Sequence, residues 1–118
     1  MVIHKTVFDL DQTLMALADP TRRALLHRLL KGAARVTELA RPFAISLNAV
    51  SKHIRILERA RLVTRRKAGR EHFLSINRKP LDQTAAWIEA QRDEWNKRLD
   101  ALDALLKAED AATRERGG

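Results

Sequence analysis

The stretch SLNAVSKHIRIL, residues 46–57, has two chemically different sides when it is drawn as a helix at about 100° per residue. One side carries Val50, Ile54 and Leu57, which is typical of a helix face buried in a core. The opposite side carries small, amide-bearing or cationic side chains and no acid: Leu47, Asn48, Ser51, Lys52 and Arg55. Because a solvated helix face ordinarily mixes both charge signs, this side indicates a surface that faces a charged partner.

The positive charge of the chain is concentrated around this stretch. The 118 residues carry a net charge of +8. Residues 41–79 contain eleven Lys or Arg and two Asp or Glu, a net charge of 11 − 2 = +9. The remaining residues contain twelve Lys or Arg and thirteen Asp or Glu, a net charge of 12 − 13 = −1. A local cationic surface favours a polyanionic partner. The alternative, a merely soluble basic protein, predicts charge that is scattered along the chain.

Two helices are predicted upstream of the quoted stretch. The first covers residues 8–18, where leucines recur at helical spacing: Leu10, Leu14 and Leu17. The second begins at Pro20, because Asp19 is a good N-cap and proline is tolerated at the first helical position. It ends before Gly32, a residue that commonly follows a helix.

A helix-turn-helix is predicted from residues 37 to 60. Thr37 caps a short helix from Glu38 to about Phe43, which Pro42 prevents from extending. Ser46 caps the helix of the quoted stretch, which runs to about Ala60. Since only two residues separate these helices, they form a helix-turn-helix.

Two strands, residues 62–67 and 71–77, are predicted to follow as a hairpin, with Gly69 supplying the positive φ of a tight turn. The inward positions are expected to be Val63, Phe73 and Ile76. A hairpin after a helix-turn-helix is a wing, and its tip carries Arg65, Arg66, Lys67 and Arg70. The alternative is a solvated hairpin whose charges block aggregation.

The last predicted element is a helix from Leu81 to about Ala108, roughly 42 Å long. Its apolar side chains recur at coiled-coil spacing, interrupted by Arg92: Leu81, Ile88, Trp95, Leu99, Leu102 and Leu106. So long a helix needs a partner, most simply its own copy. It can instead pack on the 8–18 helix within one subunit, and both arrangements can hold together. Residues 111–118 are expected to form a frayed tail.

The fold class that follows is mainly α with a small β-hairpin wing: a winged helix-turn-helix with a long C-terminal dimerisation helix. One domain spans residues 1–110, with a DNA-reading core at 33–79 and dimerisation helices at about 8–18 and 81–108. The expected dimer interface comprises Leu10, Leu14, Leu17, Leu81, Ile88, Trp95, Leu99, Leu102 and Leu106.

Catalytic and metal functions find little support in the sequence. Cysteine is absent, the carboxylates are dispersed, and the four histidines stand on four different elements: His4, His27, His53 and His72. We expect His27 to be partly buried and predict no metal, no cofactor and no enzyme activity. No apolar run approaches the ~20 residues of a membrane span, so we expect a soluble cytoplasmic protein without a membrane partner.

Binding to double-stranded DNA explains the acid-free outward side of residues 46–57 and the cationic wing better than catalysis or metal binding does. A helix fits the major groove, where Asn48 can pair with adenine, Lys52 or Arg55 with guanine or a phosphate, and Leu47 with a thymine methyl. The predicted DNA-binding residues are Thr37, Ser46, Leu47, Asn48, Ser51, Lys52, His53, Arg55, Arg65, Arg66, Lys67 and Arg70. Thr37 and Ser46 bring helix N-termini near phosphates, and His53 is packed with one nitrogen reaching a backbone group or a phosphate. Arg70 suits minor-groove insertion.

Three blocks of this sequence, ALADPTRRALLHRLL, VTELA and SLNAVSKHIRILERARLVTRRKAGRE, resemble the ArsR family of winged helix-turn-helix repressors, over about residues 8–79. The resemblance implies a homodimer that binds a two-fold symmetric operator and represses transcription until an inducer, small molecule or protein, releases it. The cysteine pair through which many members sense metals is missing from VTELARPFAIS, and the final helix has acids but no histidine. A branch without a metal site is therefore expected. A non-specific nucleic-acid-binding module is the alternative function.

Overall fold

Five helices and three short strands follow one another in residues 9–117, which are the residues that the computed structural model describes. They are α1 (Leu10–Leu17), α2 (Pro20–Leu29), β1 (Ala34–Arg35), α3 (Val36–Ala40), α4 (Leu47–Arg59), β2 (Val63–Ala68), β3 (Glu71–Ile76) and α5 (Lys79–Gly117). The chain divides into two compact units, residues 1–84 and 85–118. The predicted start of the first helix, Phe8, lies outside the described residues.

The core of the first unit is built around α2 and α4. The predicted inner side of α4 is confirmed, since Val50, Ile54 and Leu57 are each at most 1% exposed. They belong to one apolar cluster with side chains of α1, α2, α3, the turn before β2 and strand β3: Ala16, Leu25, Leu26, Leu29, Leu39, Leu62 and Leu74. This packing turns the opposite side of α4 outward.

Side-chain caps fix where the main helices begin. Ser46 Oγ accepts a hydrogen bond from Ala49 N–H at 3.1 Å, so the predicted cap of α4 is confirmed. Asp19 likewise accepts from Arg22 N–H at 3.0 Å, directly before Pro20. Each cap satisfies a backbone donor that the helix itself leaves unpaired.

We expect the cap at Asp19 to make stability fall in acid. The backbone hydrogen bond from Arg22 lowers the pKa of Asp19 below its ordinary value of 3.8. Since the unfolded chain then binds the proton more readily, the contribution is complete above about pH 5 and is lost as the pH falls through the lowered pKa. Asp19→Asn keeps a capping side chain but does not titrate. Urea unfolding should therefore show a wild-type advantage above about pH 5 that shrinks as the pH is lowered, and a constant difference would contradict this cause.

Thr37 is not a cap, and this prediction is wrong. Helix α3 begins one residue earlier, at Val36, with Arg35 as its N-cap. Glu38 Oε1 accepts from Arg35 Nε at 2.7 Å and lies 3.5 Å from Arg35 N. This pairing starts the helix early enough to place Thr37 inside its first turn, where its side chain is exposed. The helix also ends before the predicted Phe43, so the turn to α4 is longer than two residues.

The wing forms as predicted, with one correction and one addition. Strands β2 and β3 pair antiparallel from Val63↔Ile76 to Ala68↔Glu71, and Gly69 has φ +65° in the turn. Phe73 was the wrong inward residue, since Leu74 is fully buried and Arg66 lies over the Phe73 ring at 5.6 Å. The addition is β1, which the sequence did not predict and which pairs antiparallel with β3 to give the order β1-β3-β2.

Helix α5 is longer than predicted. It begins at Lys79, next to the expected boundary at Pro80, and continues past the predicted end at Ala108 to Gly117. Residues 111–117 belong to this helix. Within the first unit, Leu81 packs against the core. None of the helices in residues 9–117 has an apolar stretch of the length needed to cross a membrane.

The part of α5 that lies in the second unit, from residue 85 onward, carries a row of exposed apolar side chains. The side chains of Ile88, Leu99, Leu102 and Leu106 are 46–51% exposed, and that of Trp95 is 64% exposed. These residues follow the spacing of four and three that defines a coiled-coil seam. Exposed apolar side chains in such a row are typical of an interface.

Candidate nucleic-acid interface

The outward side of α4 is cationic and polar. Asn48, Lys52 and Arg55 are exposed, as is Arg59 one turn further on, while Ser51 is half-buried. Leu47 is 49% exposed at the first helical position. The structure therefore brings together the predicted groove-reading residues on one side of one helix, at its N-terminal half, with their side chains free of the core.

Both acids of the cationic segment 41–79 are held in ion pairs. Glu58 accepts from Arg65 of β2 through both carboxylate oxygens, at 2.8 and 3.2 Å. Glu71 accepts from Arg35 Nη1 at 3.0 Å. These bonds raise the pKa of Arg65 and, together with the bond to Glu38, that of Arg35. Neither carboxylate therefore stands as a bare negative charge beside α4 or the wing.

The four predicted wing cations differ in what they contact. Arg65 ties β2 to α4 through Glu58, and Arg66 stacks on Phe73. Lys67 and Arg70 are exposed and make no ion pair among the described residues. Arg70 lies in the turn, directly after Gly69. The wing thus presents three exposed charges that are not in ion pairs, those of Arg66, Lys67 and Arg70, and uses the charge of Arg65 to fix the wing on α4.

His53 contacts α2 through its Nδ1, and neither partner was predicted. Arg22 Nη1 lies 3.3 Å from His53 Nδ1, and Asp19 Oδ2 lies 3.8 Å from the same atom. The prediction for one ring nitrogen was a backbone group or a phosphate, and in the structure Nδ1 lies next to a guanidinium instead of a backbone group. Sequence reasoning missed Arg22, although the DPTRR block placed it in the first turn of a capped helix.

Thr37 and His27 are both exposed, but neither occupies the environment that was predicted for it. Thr37 is exposed on α3, away from the N-cap position that would aim a backbone N–H at a phosphate. His27 is exposed, not partly buried, and lines a shallow apolar groove of about 210 Å³ with Leu26 and Leu30. Among residues 9–117, no three His, Cys, Asp or Glu side chains are grouped to hold a metal ion. His4 lies outside the described residues.

The three predicted interface residues of α1 differ in exposure. Helix α1 buries Thr13 and Ala16, while Leu14 is 44% exposed. Leu10 is half-buried, and Leu17 packs partly against the core. Of these three leucines, Leu14 is therefore the one available to a partner, and Leu81 of α5 is occupied within its own unit.

Comparisons with known proteins agree with this geometry. Residues 17–66 match a family described as a helix-turn-helix domain. The chain is 37% identical to the HTH-type transcriptional regulator Rv2034 of Mycobacterium tuberculosis over 99 residues, which is 84% of this chain and 90% of that protein. It is 29% identical to the transcriptional repressor SdpR of Bacillus subtilis, over 67% of this chain and 88% of the other. A solved structure of an ArsR family transcriptional regulator is 41% identical to this chain, with a TM-score of 0.71. The match covers 74% of this chain and 96% of that one.

Proposed function

Because the chain belongs to the ArsR family of helix-turn-helix transcriptional regulators, we propose that it binds a two-fold symmetric operator as a homodimer and represses transcription by occupying it. Its relatives are regulators and not enzymes. Repression is suggested by the repressor SdpR, which is similar over 67% of the chain. In this proposal the chain catalyses no reaction, and a promoter is blocked because the bound dimer covers it.

The observation that carries the proposal is the outward side of α4. Helices fit the major groove, where each base pair displays a distinct set of donors and acceptors. Asn48 is exposed near the start of α4 and suits adenine, while Arg55 is exposed two turns later and suits guanine or a phosphate. Since Glu58 is neutralised by Arg65, no bare carboxylate of this helix opposes the phosphates.

The homodimer is supported by the exposed Leu14 of α1 and by the exposed apolar row of α5. Leu14 on α1 and Trp95 on α5 are 44% and 64% exposed. Homo-oligomers are most often two-fold symmetric dimers. Two copies of α4 related by a two-fold axis would enter successive major grooves about one helical turn apart, 34–36 Å along the duplex.

Selection of bound duplexes from a random pool tests this function. We expect a palindromic consensus whose half-site centres are about 10–10.5 base pairs apart. The selected operator should bind roughly 10³-fold more tightly than random DNA at the same salt concentration. Binding without an enriched sequence would instead favour a non-specific nucleic-acid-binding module, in which charge alone determines affinity.

The two wing arginines, Arg65 and Arg70, should differ in their effect on DNA binding. Arg70→Ala removes a charge that is exposed in the turn, so it should weaken binding to all sequences. The slope of log affinity against log salt concentration should become shallower by the equivalent of roughly one phosphate contact per protomer. Arg65→Ala removes a charge already paired with Glu58, and not a phosphate contact, so it should reduce the salt dependence much less, although the bare Glu58 carboxylate that it leaves should itself lower the affinity. Fluorescence anisotropy from low to high salt measures both slopes. Equal slopes for the two variants would contradict the assigned difference.

A further inference from the structure

We propose that the groove beside His27 binds a small carboxylic acid with an apolar body, such as a short-chain or aryl carboxylate. Its apolar lining holds the body of the ligand, and Arg23 holds the carboxylate. The inference does not depend on the proposed function, because the residues of this groove are not those assigned to DNA.

The groove lies within the first unit, at a place where α1, α2, β3 and α5 meet. Leu26 of α2 is 5% exposed, whereas Leu30, directly after that helix, is 49% exposed. The remaining apolar side chains of the lining belong to the other elements: Leu17, Ile76 and Leu81. An apolar ligand in the groove would cover the half-exposed Leu30 and remove its surface from water, which is favourable.

The volume of the groove indicates the size of the ligand. It is about 210 Å³, and an apolar cavity of about 150 Å³ is enough to bind benzene. Pockets for drug-sized ligands are larger, at roughly 300–1,000 Å³. A single ring or a chain of a few carbons, carrying one small polar group, is therefore the size of ligand that this groove fits.

The charge at the edge of the groove is positive. Among the described residues, the ionisable side chains of the lining are those of Arg23 and His27, and neither is an acid. They lie four residues apart on α2, a spacing that places both on one side of a helix. The electrostatics of the groove therefore favour an anion.

Arg23 is oriented and has donors to spare. Its Nη1 donates to Leu17 O at 2.7 Å, which fixes the guanidinium against the end of α1. The side chain is exposed, and in the described part of the chain it forms no ion pair and no second side-chain hydrogen bond. A guanidinium carries further N–H groups in a planar fork that matches the two oxygens of a carboxylate.

The combination of these features selects one class of ligand. Small-molecule sites are typically apolar with a few placed polar groups that fix orientation. A neutral apolar molecule would leave the guanidinium of Arg23 without an acidic partner, and an inorganic anion would leave Leu30 half exposed. A carboxylic acid with an apolar body uses both.

The experiment compares phenylacetate with phenylacetamide, which has nearly the same shape but no charge. Methyl ¹H–¹³C spectra of the whole protein at about pH 7.5, where a carboxylic acid is ionised, should show saturable shifts of the leucine and isoleucine methyls that line the groove. We expect a dissociation constant on the order of 1 mM for phenylacetate. Phenylacetamide should bind roughly 2- to 10-fold more weakly, because it lacks the charge-assisted contact with Arg23.

Matched variants separate the charge of Arg23 from the apolar lining. Arg23→Gln should bind phenylacetate only as well as phenylacetamide, with the affinity for phenylacetamide unchanged. Arg41→Gln removes the same charge from the exposed end of α3, outside the lining, and should change either affinity by less than about 2-fold. Leu30→Ala should weaken both ligands by roughly 3-fold or more, because it removes apolar surface from the groove.

Several results would overturn the inference. One is the absence of saturable shifts at the groove methyls up to about 20 mM phenylacetate, roughly 20 times the expected dissociation constant. Another is a preference for the acid that survives Arg23→Gln, or that falls equally in Arg41→Gln, which would mean that net charge alone attracts the anion. Equal loss of both ligands in Arg23→Gln would mean that Arg23 only shapes the groove.

A second copy of the chain is the competing occupant of the groove. In that case phenylacetate would not shift the groove methyls, and Leu30→Ala would weaken dimerisation in sedimentation velocity, which would also overturn the inference. None of these measurements contains DNA. The proposed function is therefore tested separately, by the selection of bound duplexes, and can stand or fail whatever the groove binds.

Discussion

Replacing Trp95 with Glu is expected to give a monomer that binds its operator at least about 100-fold more weakly. Trp95 is 64% exposed in the apolar row of the second unit. A buried interface aromatic is commonly worth at least about 2 kcal/mol, and a two-fold interface contains each residue twice. The combined effect of about 4 kcal/mol corresponds to roughly 10³-fold in dimer dissociation. Sedimentation velocity and anisotropy measure the two consequences.

The control for this change is Ala90→Glu, which adds the same charge to the same helix. Ala90 is five residues before Trp95, a separation that places it on the opposite side of a helix. Glutamate has a good helix propensity, so the control should remain dimeric and bind normally. If the Trp95→Glu protein sedimented as a dimer, Trp95 would not belong to the interface.

Changing Asn48 to Ala is expected to reduce discrimination between the operator and random DNA by at least about 30-fold. A bidentate amide contact to adenine contributes about 1–3 kcal/mol of discrimination, and a two-fold operator contains two such contacts. Because the amide carries no charge, the salt dependence of binding should remain that of the wild type. Competition between labelled operator and unlabelled random duplexes at fixed salt measures the change.

Arg59→Ala is the matched control for Asn48→Ala. Arg59 is exposed on the same side of α4, at its C-terminal end, where a phosphate is the expected partner. Its loss should weaken binding to all sequences alike and reduce the salt dependence. If Asn48→Ala left the choice of operator unchanged, the assigned base contact would be wrong.

Regular elements with strong local signals were predictable from the sequence. The apolar spacing of α4 and its cap at Ser46 are local features, and both are confirmed by the structure. The hairpin was predictable because Gly69 adopts the positive φ that its turn requires. The resemblance to the ArsR family, carried by the same blocks, is also confirmed by the relatives of the chain.

The features that were missed depend on contacts between distant residues. Strand β1 has two residues, too few for any periodicity, and forms because β3 offers it a free edge. The alternation along 71–77 predicts Phe73 as inward, but a one-residue shift in a strand exchanges its two faces, and Leu74 faces the core instead. Arg22 and His53 are 31 residues apart, so no local pattern could have paired them.

The measurement that tests the account most directly is the affinity of the purified protein for duplex oligonucleotides as a function of salt. If α4 and the wing present an accessible cationic surface, binding should be tight in dilute buffer and should weaken steeply as salt is added. A plot of log affinity against log salt concentration should have a slope of about −0.9 for each phosphate contacted. Failure to bind any duplex at roughly 20 mM salt, where such contacts are strongest, would contradict the central claim.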